Sequence, residues 1–169
     1  MKKSHAIALA LCALLPASCG YHLGGTVRAD MEGMKTYSVS MFENHTVYPN
    51  VAMQVTSAIG NALQGDGAFE VAPASAADFT VSGTVKSVEL ERKLVDWRDS
   101  YLSLEVGVYV VVSYTVTDNR SGKVLSSGEL RGEGSYFNTG GNTQTGRDAA
   151  LSYAARQAAD SLVETLTIP

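Results

Sequence analysis

Cysteine is scarce in this chain. Of 169 residues only Cys12 and Cys19 carry a thiol, and both stand near the amino terminus. The remainder can therefore form no internal disulfide, place no thiol nucleophile beside a histidine and build no thiolate cluster for zinc. Histidine is almost as sparse. His5, His22 and His45 are far apart, and no His-x-x-x-His pair offers a shared metal. Neither Gly-x-Ser-x-Gly nor Ser-x-x-Lys occurs, and Gly132-Glu133-Gly134 lacks the third glycine and the following helix of a dinucleotide fingerprint. Positive charge is also short, with 13 Lys and Arg against 17 Asp and Glu for a net −4. Such a balance is poorly suited to wrapping nucleic acid, which needs clustered cations to displace counterions. No cofactor, no metal, no nucleic-acid partner and no catalytic residue is expected.

The amino terminus supplies the first positive signal. Met1-Lys2-Lys3 is cationic, Ala6 to Leu15 is an uncharged apolar run, and Pro16-Ala17-Ser18 precede Cys19. A charged end, an apolar middle and small residues at the cut form the layout of a secretory signal peptide over residues 1–18. The apolar run is about half the length that spans a bilayer as a helix, so it reads as an address rather than an anchor. A thiol placed directly after the small residues reads as a lipid attachment point, which makes Cys19 the expected acylated amino terminus; the alternative is an ordinary signal peptide whose cleavage site happens to lie beside a cysteine. One departure stands out. The position three before the cysteine, usually Leu, holds Pro16, with Leu15 one place further back. Cleavage before Cys19 removes two lysines and no acid and takes the charge from −4 to −6.

Residues 19–35 carry Gly24, Gly25 and Gly33 without a clear period and read as a lipidated tether, and 36–169 has the size of one domain. Tyr37, Val39 and Met41 alternate with polar neighbours as a strand. A helix from about Asn50 to Gln64 puts Val51, Val55, Ala58, Ile59, Ala62 and Leu63 on one face, with Asn50 as its cap and Gly65 and Gly67 as its stop. Phe79, Val81, Gly83 and Val85 then alternate in a longer strand. The clearest pattern follows: Leu102, Leu104, Val106, Val108, Val110, Val112, Tyr114 and Val116 occupy every even position opposite mostly polar residues. One sheet face is thereby expected to be buried and the other wet. Asp118 to Lys123 reads as a hairpin turn, and the glycine-dotted return strand Val124 to Tyr136 as an edge. A closing helix from about Arg147 to Leu166, capped by Thr145 with Asp148 three residues on, buries Leu151, Ala155, Ala158, Leu162 and Leu166. The fold class expected is α+β, a two-layer sandwich of a mostly antiparallel sheet with two helices packed on one face.

Two stretches have a composition suited to binding. Glu91 to Tyr101 connects the two long strands and gathers Arg92, Lys93 and Arg98 with the chain's single Trp, Trp97. Three of the eleven basic residues left after cleavage fall within these seven positions, a cluster able to meet phosphorylated sugars of a glycolipid or a partner wall. Glu91, Asp96 and Asp99 nearly balance that charge, so a self-paired hairpin end is the alternative. Tyr136 to Thr145 is a polar, glycine-rich loop suited to an adaptable contact or to plain exposure.

Cys19-Gly20-Tyr21-His22-Leu23-Gly24-Gly25 resembles the mature amino terminus of the LptE-like lipopolysaccharide-assembly lipoproteins. Met41-Phe42-Glu43-Asn44 followed by Tyr48-Pro49, and the later strand pair and closing helix, are similar to that family in layout. The resemblance implies an outer-membrane lipoprotein, lipid-anchored on the periplasmic face, that assists lipopolysaccharide transport as the plug-like partner of an LptD-like β-barrel. Gly20, which carries no acidic retention signal, fits that location on the same analogy. The implied partners are the barrel, lipopolysaccharide and the membrane itself. Two other classes remain open at this point: a periplasmic lipoprotein that regulates a cell-wall enzyme, and a hydrolase with an acid/base pair among Glu89, Glu91, Asp96 and Asp99.

Overall fold

In the computed structural model the described residues are 27–95, 103–138 and 143–167. Cys19 and the rest of 1–26, Asp96 to Leu102 and residues 139–142 lie outside them, as does the side chain of Leu104. The elements run β1 (Thr36–Val39), β2 (Glu43–Asn44), α1 (Val51–Asp66), β3 (Glu70–Val71), β4 (Phe79–Val95), β5 (Ser103–Asp118), β6 (Val124–Phe137) and α2 (Thr143–Thr167). One open sheet has the order β3-β1-β4-β5-β6, and β2 joins β4 further along the edge that β1 uses. The short strands pair in parallel. The three long ones form an antiparallel meander with extended ladders, so the sheet is mixed but antiparallel over most of its pairing. Because β1 and β4 are parallel neighbours, the chain between them must cross over, and α1 is that crossover.

The alternation in β5 is realised as buried against part-exposed. Val108, Val110, Val112 and Val116 are fully buried; α2 covers β5 and β6 on that side, and α1, packed against α2, covers β1 and β4. α1 contributes Val51, Val55, Ile59 and Leu63, and α2 contributes Leu151, Ala155, Ala158, Leu162 and Leu166. Each fully buried Leu or Val is worth about 1.5–3 kcal/mol by transfer, so these helices hold to the sheet by their apolar stripes.

The glycines of β6 have a more specific reason than edge weakness. A Cβ at Gly132 would stand 1.8 Å from the Ala154 carbonyl oxygen, and one at Gly134 2.3 Å from that of Ala150. The backbone of α2 therefore rests directly on β6, through alanines on one side and glycines on the other.

Several local expectations are corrected. β1 ends at Val39, and Met41 is exposed while Phe42 takes the core position instead, its ring filling the space over Gly83. Asn50 precedes α1 but makes no side-chain capping bond, whereas Gly67 ends the helix in the left-handed region at φ 75°. α2 begins at Thr143, one turn earlier than the capping pattern indicates, so Thr145 lies inside it. β4 runs through to Val95, which makes Arg92 and Lys93 strand residues rather than loop residues. Finally, packing begins before residue 36. Arg28 donates its backbone N–H to the Leu166 carbonyl, and Met31, in a single 3-10 turn at Ala29–Met31, is fully buried. The packed domain thus takes in residues 27–35, which the glycine content assigns to the tether.

Candidate partner-facing surface

The sheet face opposite the helices is open. Its rows follow from the ladder register: Ser82, Thr115 and Ser127 stand side by side, as do Thr84, Ser113 and Glu129, then Glu89, Tyr109 and Glu133. Three ion pairs cross β5 from β4 to β6. Lys86 Nζ meets Glu129 at 2.7 Å, Arg131 meets Glu89 at 3.6 Å, and Lys93 donates to Glu133 Oε1. Tyr109 lies beneath the last two, with the Arg131 guanidinium 4.1 Å and the Lys93 ammonium 5.9 Å from its ring centroid. The bond to Glu133 raises the pKa of Lys93. Desolvation, then the Glu133 charge, raises that of Tyr109. These side chains are about a third to a half exposed. Exposed pairs of this kind contribute little to stability. What they do is cancel each other's charge, leaving a broad, mostly polar surface of hydroxyls, paired ions, the Tyr109 ring and the two further carboxylates of Glu91 and Glu105.

The sequence-selected cluster divides on this framework. Arg92 pairs in register with Val106 on the helix-covered side, while Lys93 reaches the open face beside Gly107 and Tyr109. Alternation alone separates the two, and the register shift between Arg92 and Leu94 then brings Leu94 to the open side as well. Trp97 and Arg98 lie outside the described residues, as do Asp96 and Asp99. Glu89 and Glu91, the remaining members of the conceivable acid/base pair, stand on the open face, Glu89 with Arg131 and Glu91 with the Tyr109 hydroxyl. His45 is exposed at 3.6 Å from Glu43. Among the described residues no group of three metal-ligating side chains comes together, and no helix is long and apolar enough to cross a membrane.

Sequence reasoning did not single out the apolar rim at the far end of this face. Leu94 and Phe137 both pair with Glu105, from opposite sides, and both are about half or more exposed. Leu94 was detectable only through its misfit, because the register shift takes it out of the alternation that its neighbours obey.

The near end of the sheet is tied by one carboxylate. Asp78 accepts from the backbone N–H groups of Lys35 and Thr36, from the Thr36 hydroxyl and from Arg120. Those donors, the Lys35 N–H first, hold its pKa down to about 2. Beside the middle of β4, Asn44 organises the loop into α1. Its side chain donates to the Tyr48 carbonyl and accepts from the N–H and hydroxyl of Thr46. The Tyr48 ring then meets the Arg147 guanidinium at 5.6 Å. The Met41-Phe42-Glu43-Asn44 stretch is therefore structural at each step: Phe42 fills, Glu43 and Asn44 pair with β4, and Asn44 turns the chain.

A search of curated proteins finds no match. Among solved structures the chain is similar to a hypothetical protein from Chlamydia trachomatis, with a TM-score of 0.56 and 10% identity over 78% of this chain and 95% of that one. It is also similar to the PelC dodecamer from Paraburkholderia phytofirmans, with a TM-score of 0.51 and 22% identity over 86% and 94%. A third likeness is to a putative lipoprotein from Caulobacter crescentus, at TM-score 0.50 and 12% identity over 75% and 88%. At these identities the likenesses establish the fold, an open mixed sheet backed by two helices. The family model for lipopolysaccharide assembly matches residues 34–166, nearly the whole of the packed domain, and the chain belongs to that LptE family.

Proposed function

We propose that this protein is an outer-membrane lipoprotein, acylated at Cys19, that acts in lipopolysaccharide assembly by binding rather than by catalysis, as the plug-like partner of a β-barrel. The observation that carries the proposal is the open sheet face. Three long strands present Ser, Thr, Tyr and three crossing ion pairs, with Glu91 and Glu105 as two further carboxylates, an apolar rim at one end and the helices on the other side. Barrel lumens are polar, and a broad, mostly polar face can lie against such a wall. The second contact is the far end of the β4–β5 ribbon, where Arg92, Lys93, Trp97 and Arg98 cluster in sequence; it would meet lipopolysaccharide or the barrel wall. The anchor holds the domain to the inner leaflet, and since one acyl chain binds only marginally, two or more are expected on Cys19.

Mass spectrometry of the mature amino terminus reads the acylation directly; an unmodified thiol removes the anchor from the proposal. Affinity purification from detergent-solubilised membranes should bring down a large β-barrel in stoichiometric amount. Photo-crosslinkers at Ser113 and Thr115 on the open face should reach that barrel, while the same groups at exposed α2 positions such as Arg156 should not. A complex without any barrel, for instance one with a cell-wall enzyme, would overturn the proposal.

A further inference from the structure

We propose that the outer edge of β6, beside α2, is a strand-addition site that takes an extended segment of a partner protein. β6 ends the sheet, and its register with β5 runs unbroken from Ser126 to Phe137. One bond fixes which residues face outward. Glu133 gives its backbone N–H to Gln157 Oε1 at 3.2 Å rather than to β5, so the odd residues turn their backbone groups away from the sheet. Ser127, Glu129, Arg131 and Ser135 share that parity and are exposed, and their outward N–H and C=O groups have no hydrogen-bond partner among the described residues. Sheet edges are usually blunted by a bulge, a proline or a short strand, and this stretch has none of these. Its charged side chains, the other common guard, are drawn inward across β5 by their ion pairs with β4.

The edge selects a peptide backbone. Its N–H and C=O groups recur at every second residue, which is the spacing of another extended chain. The Gln157 amide oxygen on Glu133 already occupies the place of a partner's carbonyl. A second copy fits poorly. The backbone of α2 rests on β6 at Gly132 and Gly134, so two copies joined here would hold helices over strands ~4.8 Å apart, whereas packed helices need about 8–10 Å. A closed barrel has no free edge to offer, so this contact is separate from the barrel reading. An extended segment with nothing stacked on its α2 side does fit. Beside the edge, Ser135, Ala149, Ala150, Tyr153 and Arg156 line a cavity of about 510 Å³. Tyr153 is 50% exposed, and the Arg156 guanidinium lies 5.7 Å from its ring with no acidic partner among the described residues. The added strand therefore carries an apolar residue opposite Gly134, against Tyr153, and an acid two places on for Arg156, with small polar residues on the open face.

The test uses the full acylated chain in detergent micelles, titrated by NMR with the capped heptapeptide Thr-Val-Thr-Val-Thr-Glu-Thr at millimolar concentration. Saturable shifts are expected in β6 and along the exposed side of α2, with slowed amide exchange at Arg131 and Ser135. The same peptide N-methylated at its third and fifth residues lacks the donors that face β6 and should bind about tenfold more weakly or not at all. Ser135→Pro removes an outward N–H that the ladder does not use, so it should weaken binding by about tenfold while the melting temperature stays nearly level. Gln157→Ala frees the Glu133 N–H and should tighten binding about threefold, a gain that a merely structural glutamine would not give. If Ser135→Pro does not fold, the N-methylated peptide and Gln157→Ala decide. The proposal falls if the peptide gives no saturable shifts, if the N-methylated peptide binds equally well, or if Ser135→Pro folds and binds as before. Dimerisation of the chain alone, with protection at the same amides, would assign the edge to a second copy and overturn it too. Barrel co-purification is read separately: its failure in the unmutated chain would sink the functional reading and leave this site standing.

Discussion

The two faces of β5 share one backbone and differ in almost everything else. On the even positions Val108, Val110, Val112, Tyr114 and Val116 are buried beneath the helices. On the odd positions Tyr109, Val111, Ser113, Thr115 and Thr117 remain part-exposed under ion pairs or water. The covered face obtains its cohesion from close approach, taken so far at Gly132 and Gly134 that the backbone of α2 touches the sheet. Nothing packs on the other face among the described residues, and three ion pairs cross it. Cohesion and contact are therefore separated to opposite sides of a single sheet. A partner can engage one side without disturbing the core on the other, and the two sides should respond very differently to the same substitution.

The largest expected effect comes from placing a charge on the covered side. Val110→Asp buries a carboxylate with no partner and should cost about 3–5 kcal/mol, a large share of a small domain's stability. Thr115→Asp on the open side should stay within about 1 kcal/mol. Urea melts of the two variants measure the contrast, and equal shifts would show that the faces are misassigned. Glycines give the next contrast. Gly132→Ala drives a methyl into the Ala154 carbonyl and should cost about 1–3 kcal/mol. In α1 a Cβ at Gly60 meets nothing within 4 Å, so Gly60→Ala should stabilise by about 0.5–1 kcal/mol.

A smaller effect belongs to the near end, where Asp78 ties the start of β1 to the β5–β6 turn. Its folded pKa of about 2 lies below the ~3.9 of a free aspartate. The carboxylate therefore stabilises the fold fully above about pH 4, and that contribution is lost as the pH falls towards 2. Thermal melts from pH 5 to pH 2 should show this acid dependence in the native chain and a flatter profile in Asp78→Asn.

Period-two alternation in β5 was legible because nothing local competes with it: eight apolar residues at every second position leave one arrangement. The apolar stripes of both helices were legible for the same reason at period 3.6. The errors fall where a tertiary partner decides. Met41 continues the pattern of Tyr37 and Val39 in sequence, yet Phe42 is the residue that finds a space, because Gly83 opens one on a strand forty residues away. Gly132 and Gly134 look like weak strand residues until α2 is placed over them. Arg92 and Lys93 look like one basic patch, but the strand continues through them and sends them to opposite faces.

The smallest expected effect sharpens the comparison most, because it tests whether the open face is held together by its own charges. Lys93 and Glu133 are bonded across β5, and that bond raises the folded pKa of Lys93. A lysine whose pKa rises on folding adds stability that is complete below its unfolded value, near 10.4, and fades as the pH climbs through the folded one. Glu133→Gln should abolish that alkaline fade and return the Lys93 ammonium towards its ordinary titration, read by NMR of its Nζ. At neutral pH, where that contribution is complete, the same substitution should lower the melting temperature only slightly, and added salt should do no more, since exposed pairs are weak and screened. A marked loss of stability at neutral pH would mean that the ion pairs are part of the core's cohesion and that the two faces of β5 are not independent. A slight loss at neutral pH together with a shifted lysine titration would show that the pair tempers the charge of a surface without holding the core, as suits a face that lies against a partner.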